Sequence, residues 1–386
     1  MKNSVSVDKS FTNFNTNQEK EGEIPRKPRI LVAPLDWGLG HATRCIPIVQ
    51  ELLAQNCDVW LAGDREIERL LRIEFPDLNF LPLQGYHIRY SGTTRGFILS
   101  IFRQLHKIRS AINIENKWLK KQVKLHNFDA VISDNRFGLY HKNVPCIFIT
   151  HQLTIKSPLG LWNEKLIQRW NYGYINRFTE SWVPDMPDKN NLAGLLSHPG
   201  RMPGIPVHYT GILSRLKKTG TEEKKGHLLI LLSGPEPQRS ILEDKLIDEL
   251  VHYTGTADVV RGLPSSGMIL PSTNHIRFWN HLPSGELNKK MSEAEFIISR
   301  SGYSTVMDIV QLRKKSILIP TPGQTEQEYL ARHLMQNKIA YCQQQNTFSL
   351  KDAIGNAENF SYQFPVKADT GRLRETISRI VSGLLK

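Results

Sequence analysis

From position 29 onward, short apolar runs alternate with stretches of helical spacing. Arg29–Pro34 (RILVAP) has the continuous apolar character of a strand buried on both faces. A glycine-containing loop over 36–40 follows. Residues 41–55 then place Ile46, Val49, Leu52 and Leu53 at the period of an amphipathic helix. The pattern repeats: strand at 59–63, helix at 66–72, and strands at 80–83, 128–133, 145–150 and 181–184. A Pro/Gly-rich stretch, 198–206, opens an expected linker over 198–212. A second series opens with a strand at 226–233 and continues with strands at 257–261, Ile276–Trp279, 296–299 and 316–320, closing on an amphipathic helix at about 370–385. Strands alternating with helices predict parallel sheets covered on both faces. The expected architecture is α/β, with two doubly wound domains facing a central cleft. The expected boundaries are a polar, flexible leader over 1–28, an N-terminal domain over 29–197, the linker over 198–212, a C-terminal domain over 213–350 and a helical segment over 351–386. Ligands are expected in the cleft, at the carboxyl ends of the strands.

Composition narrows the class. With 40% hydrophobic and 23% charged residues, the chain has the material for a packed core. No apolar run approaches the roughly 18 residues of a spanning helix, and the polar first 28 residues lack the apolar centre of a secretory signal. Cys45, Cys57, Cys146 and Cys342 form no CxxC pair, which argues for a reducing, cytoplasmic setting and against structural zinc or disulfides. The formal net charge of +13 implies a polyanionic partner. Between positions 84 and 127 nine basic side chains face one acid, Glu115. There Phe97, Ile101, Phe102, Leu105, Ile108 and Ile112 recur at helical spacing, with Arg103, Lys107 and Arg109 interleaved. Such a segment could lie on an anionic membrane surface or be an ordinary helix with a solvated basic face. No nucleic-acid-binding module is recognised, so nucleic acid is not expected as a partner.

Three strand-to-helix loops could carry chemistry. In Pro34-Leu-Asp-Trp-Gly-Leu-Gly-His-Ala-Thr-Arg44, Gly38 and Gly40 let backbone amides approach an anion at a helix N-terminus. The loop fits neither a dinucleotide fingerprint nor a P-loop. Its distinctive residue is His41, whose neutral ring could take a proton from a bound hydroxyl or simply open the helix. The second loop, after the strand at 226–233, offers Ser233, Gly234 and neighbouring amides as a phosphate cradle, with Arg239 as charge partner. The third is Ile298-Ser-Arg-Ser-Gly-Tyr-Ser-Thr-Val-Met-Asp308. There Gly302 permits close approach, and Asp308, one turn into the helix, could hold a ribose diol. Beyond it, Gln327 and Glu328 follow a Pro-Gly loop and could read sugar hydroxyls.

These motifs resemble the GT-B glycosyltransferases of the family 28 type, which include the MurG-like UDP-N-acetylglucosamine transferases and the monogalactosyldiacylglycerol synthases. The specific match is Ser-Arg-Ser-Gly-x-x-Thr-Val-x-x-Ile over 299–309, followed by Ile-Pro…Gln…Gln-Glu-Tyr over 319–329. The first loop is similar to that family's GGxGGH loop, with Asp36-Trp37 in place of two glycines. His151-Gln152 is similar to its HEQN, and 209–215 to its interdomain TGNPVR segment. The resemblance implies two Rossmann-like domains and an inverting, metal-independent hexosyltransferase with a UDP-sugar co-substrate and no cofactor. It implies donor-binding roles for Ser233, Gly234, Arg239, Leu282 (against the uracil), Ser301, Gly302, Ser304, Thr305, Asp308, Gln324, Gln327 and Glu328. Gly38, Gly40, Arg44, His151 and Gln152 would bind the acceptor, a glycan or a lipid-linked saccharide. His41 is the favoured base, with Asp134 second. Peripheral attachment at the inner face of the cell membrane would then suit the basic segment. A UDP-sugar 2-epimerase on the same fold, or a non-catalytic nucleotide-sugar-binding subunit, are the alternatives.

Overall fold

The computed structural model describes residues 26–36, 38–86, 94–157, 161–264, 266–365 and 371–385, without the side chains of 94–106 and 161–162. The first sheet is built from β1 (Arg29–Pro34), β2 (Asp58–Gly63), β3 (Asn79–Pro82), β4 (Ala130–Asp134), β5 (Cys146–Ile149), β6 (Glu180–Val183) and β7 (Val207–Tyr209). All pairings are parallel, in the order β3-β2-β1-β4-β5-β6-β7. Its helices are α1 (Leu39–Ala54), α2 (Arg65–Glu74), α3 (Thr94–His126) and α4 (Leu161–Ile175). The second sheet holds β8 (Lys224–Leu231), β9 (Thr256–Val260), β10 (Ile276–Trp279), β11 (Ala294–Ser299), β12 (Ser316–Leu318) and β13 (Tyr341–Cys342), in the parallel order β10-β9-β8-β11-β12-β13. With it go α5 (Gln238–Leu250), α6 (Ser284–Glu293), α7 (Tyr303–Leu312), α8 (Thr325–Gln336), α9 (Leu350–Glu358) and α10 (Gly371–Leu384).

Local sequence explains these elements. Five of the six β1 residues are buried, as a central parallel strand requires. Helix α2 starts at Asp64, whose side chain accepts from the Ile67 amide. It carries Glu66 and Glu68 in its first turn and Arg72 in its last, each complementing the helix dipole. The expected linker 198–212 is not all linker. Residues 207–209 add a seventh strand to the first sheet, so the chain leaves that domain only after Tyr209.

Each sheet reverses direction between its first strand and its fourth, at β1/β4 and at β8/β11, which opens a crevice at the carboxyl ends. The largest apolar cluster is continuous from α1 (Ala42, Cys45, Ile46) through α7 (Tyr303, Val306, Met307) to α10 (Ile377, Val381). The two domains therefore share a packed seam. Helix α10 returns to the first domain, where Arg379 donates to Glu180 at 2.6 Å. Among the described residues no helix is long and apolar enough to cross a membrane. The expected membrane-facing residues Phe97, Ile101, Phe102, Arg103 and Leu105 have side chains outside the described set, as do Trp37 and the leader through position 25. Ile108 and Ile112, read with them, are buried against Tyr174.

Candidate active site

Helix α1 begins at the β1 crevice. Gly38, at φ 96°, turns the chain where a side-chain-bearing residue would be strained, and Gly40 follows. A Cβ on Gly40 would come within 2.9 Å of Ser304 Oγ, and Ser304 Oγ donates to the Gly40 carbonyl at 2.8 Å. The N-termini of α1 and α7, one from each domain, therefore meet at this point and bring two positive dipole ends to one side of the cleft.

His41 sits on this junction, about one-sixth exposed. Its Nδ1 lies 3.3 Å from both carboxylate oxygens of Asp134, which ends β4. Nε2 has no hydrogen-bond partner among the described residues. Asp134 is fully buried and is gripped by Arg44 through Nε at 2.7 Å and through Nη2. Burial would raise the Asp134 carboxyl; Arg44 and His41 more than offset it and hold it well below the usual carboxylate range. Burial likewise lowers His41 below its ordinary 6.5, opposed by Asp134 and reinforced by Arg44. The ring is therefore neutral at neutral pH.

The second half of the cluster crosses the cleft. Arg44 Nη1 reaches His151 Nδ1 at 3.0 Å, and His151 Nε2 reaches Glu326 Oε1 on α8 at 2.7 Å. Gln152 donates to the other Glu326 oxygen. The His151 ring stacks on Tyr303 at 4.2 Å and 8°, and Tyr303 Oη donates to the Pro184 carbonyl at 2.8 Å. A carboxylate, two imidazoles and a guanidinium from the first domain thus face a carboxylate and a phenol from the second. Such a set can orient a hydroxyl and accept its proton.

The comparisons bear on what this site serves. A model of the glycosyltransferase family 28 C-terminal domain matches residues 270–371, the segment containing β11, α7 and α8. The chain is 25% identical over 296 residues to a UDP-N-acetylglucosamine--N-acetylmuramyl-(pentapeptide) pyrophosphoryl-undecaprenol N-acetylglucosamine transferase of Clostridium botulinum, covering 73% of this chain and 75% of that one. The family model, the relative and the fold together support a GT-B glycosyltransferase of the family 28 type. Among solved structures, the MurG of Acinetobacter baumannii superposes with a TM-score of 0.50 at 14% identity, over 93% of this chain and 95% of that one. The Streptomyces sp. SF2575 glycosyltransferase SsfS6, complexed with thymidine diphosphate, gives 0.54 at 12% identity, over 92% and 96%.

In this chain the expected donor-binding residues divide into two groups. Ser233 and Gly234 are exposed in the loop between β8 and α5, and Gly302 caps α7 with open space beside it. Thr305 is half-buried in the first turn of α7. Asp308 meets the segment joining the sheets, where Ser214 Oγ donates to it at 2.5 Å; burial pushes its pKa up to about 6, against Arg215 and Ser214. The others turn inward. Arg239, expected at a diphosphate, is ion-paired with Glu236 at 2.6 Å and Glu243 at 3.0 Å, because the carboxylates three and four residues away are its nearest partners. Leu282, expected against a uracil, is 2% exposed and packs in the core. Ser301 is buried and donates to the Gln327 carbonyl at 2.9 Å. Gln327 accepts from the Thr321 amide and hydroxyl and donates to Gln324 at 2.7 Å. Glu328 accepts from the Gly323 amide at 2.9 Å. Gln324, Gln327 and Glu328 thus hold the Pro-Gly loop in shape. Asp134, the second candidate base, is placed as the partner that orients His41.

Two residues escaped the sequence reading. Glu326 lies beside the two that were singled out, and only its contacts across the cleft distinguish it. Arg300, inside the family motif, is 1% exposed and has no carboxylate partner among the described residues. It donates to the carbonyls of Gln238, Ile319 and Pro320, its Nε is unpaired, and burial brings its pKa down to about 10. A fixed cation therefore lies beneath the start of α5.

Proposed function

We propose that this glycosyltransferase transfers a hexose, with inversion, from a UDP-sugar to an acceptor hydroxyl. The juxtaposition that carries the reading is His41 against Asp134, directly under the α7 N-terminus. In the tautomer with Nδ1–H donated to Asp134, Nε2 presents its lone pair to the cleft and takes the acceptor proton. The acceptor oxygen attacks the anomeric carbon as the bond to the diphosphate breaks, and UDP leaves with the bonding electrons. The leaving charge is met by the amides around Ser233 and Gly234, the α5 and α7 N-termini and the buried Arg300, so we expect no requirement for a divalent cation. Asp308 holds the ribose. The thymidine diphosphate of SsfS6 and the UDP donor named for the Clostridium relative support a nucleoside-diphosphate sugar as donor.

The same relative's name specifies a pyrophosphoryl-undecaprenol acceptor, which supports a lipid-linked acceptor here. Lys107, Arg109, Lys117, Lys120, Lys121 and Lys124 are all exposed along α3, a surface suited to an anionic bilayer. A panel of UDP-sugars, scored by protection against thermal unfolding and by UDP release with and without candidate acceptors, tests the reading. Release that needs an acceptor supports transfer, whereas conversion of a UDP-sugar without one would favour the epimerase.

A further inference from the structure

We propose that Glu326 is a positioning residue that couples closure of the cleft to the orientation of Arg44 and, through Arg44, of His41. The tautomer of His151 carries the argument. Arg44 has only donors, so the 3.0 Å contact requires His151 Nδ1 to accept. Nε2 then carries the ring proton and donates it to Glu326 at 2.7 Å. The result is a one-way chain, Arg44 to His151 to Glu326, that exists only while α8 of the second domain stands against the loop after β5 of the first. Glu326 also accepts from Gln152, so both of its oxygens are committed to the opposite domain. Arg44 is the shared member: its other nitrogens donate to Asp134, the carboxylate that also accepts from His41 Nδ1–H in the proposed tautomer. Opening the cleft removes the acceptor for His151, frees its ring to turn and releases the far end of Arg44. The groups facing this chain are Asp134, His41 and Tyr303, and none of them can replace the lost acceptor at His151 Nε2, because Asp134 is held by Arg44 and Tyr303 presents its ring face.

The clasp stands on geometry alone; its effect on the base rests on the reading of His41 given above. Hydrogen exchange tests the clasp without any substrate. The Leu195 amide donates to Tyr329 Oη at 2.8 Å and the Ser284 amide to Glu74 Oε1 at 3.0 Å, so each reports cleft opening at a different place. Glu326→Ala and His151→Ala should each speed exchange at both amides about tenfold or more, the range expected for losing a hydrogen bond to a charged group. In the double variant the two effects should be less than additive, because both substitutions remove the same His151–Glu326 contact. Glu326→Gln, whose amide oxygen still accepts from Nε2–H, should restore most of the protection. Additive effects, unchanged reporters, or equal acceleration at the Ile297 amide in the second sheet would overturn the clasp. With whichever donor the UDP-sugar panel returns, kcat should fall with Glu326→Ala and recover with Glu326→Gln; a kcat indifferent to both would overturn the coupling to His41. If the panel returns no donor, the functional reading fails while the exchange result still decides the clasp.

Discussion

The role proposed for His41 depends on what surrounds it. Asp134 supplies a fixed negative charge at Nδ1, burial keeps the ring neutral, and the free nitrogen faces the cleft. His41→Ala should lower kcat by about 10²–10⁴-fold, with UDP affinity by calorimetry nearly unchanged because the proposed nucleotide site is in the other domain. Because burial sets the folded pKa below 6.5, the wild-type kcat should fall only once the pH drops below 6.5. Asp134→Asn, which removes the group that raises it, should move that acid limb lower still. The same substitution strips Arg44, 2% exposed, of its counter-ion, and a buried charge left alone typically costs about 3–5 kcal/mol. Urea unfolding should show a loss of that order; an unchanged midpoint would mean that Arg44 finds another partner. Asp308 makes a separate forecast. Its carboxyl sits near 6, so it must ionise to accept two ribose hydroxyls, and UDP affinity should weaken as the pH falls through about 6. Asp308→Ala should weaken UDP binding about 30–150-fold, the equivalent of roughly 2–3 kcal/mol.

At the scale of elements, the site is made by helix ends. The start of α1 approaches that of α7 only because position 40 has no side chain. Gly40→Ala should push Ser304 aside, hold the domains apart and lower kcat. The thermal midpoint should change little, since the added methyl meets a side-chain hydroxyl rather than backbone. A kcat equal to wild type would show that the seam yields at no cost. Strand–helix alternation was legible because parallel strands buried on both faces read as continuous apolar runs, as in β1 and β8. The helices α4 and α6 were not legible: α6 (SGELNKKMSE) is mostly polar and covers the sheet with Leu287 and Met291 alone. Strand β7 was hidden for a different reason. It is three residues long, directly after a Pro/Gly-rich stretch, and pairing with β6 is what makes it a strand.

For the whole molecule, two crevices face across a shared core, and the proposed function assigns one wall of the cleft to the donor and the other to the acceptor. Transfer without a metal predicts that EDTA leaves turnover intact and that added magnesium or manganese does not raise it. A requirement for either ion would show that the helix ends and Arg300 do not suffice. The exposed lysines and arginines of α3 predict cosedimentation with vesicles containing anionic lipid, lost at high salt as surface charge is screened. Equal binding to neutral vesicles would point to apolar contact instead.

The sequence by itself determined the two parallel sheets, the glycine loops at their crevices and the motif over 299–309, because each depends on neighbours along the chain. It also singled out His41, Asp134, Arg44, His151 and Gln152 as separate candidates. What it did not determine is how they are used. Arg239 and Leu282 have the right chemistry for a nucleotide but are consumed by ion pairs and the core, and Gln327 and Glu328 by the loop they brace. Glu326, the least conspicuous of three adjacent polar residues, becomes the one that spans the domains. Only the tertiary structure decided this, since whether a polar side chain is free for a ligand depends on which partners folding brings within about 3 Å of it.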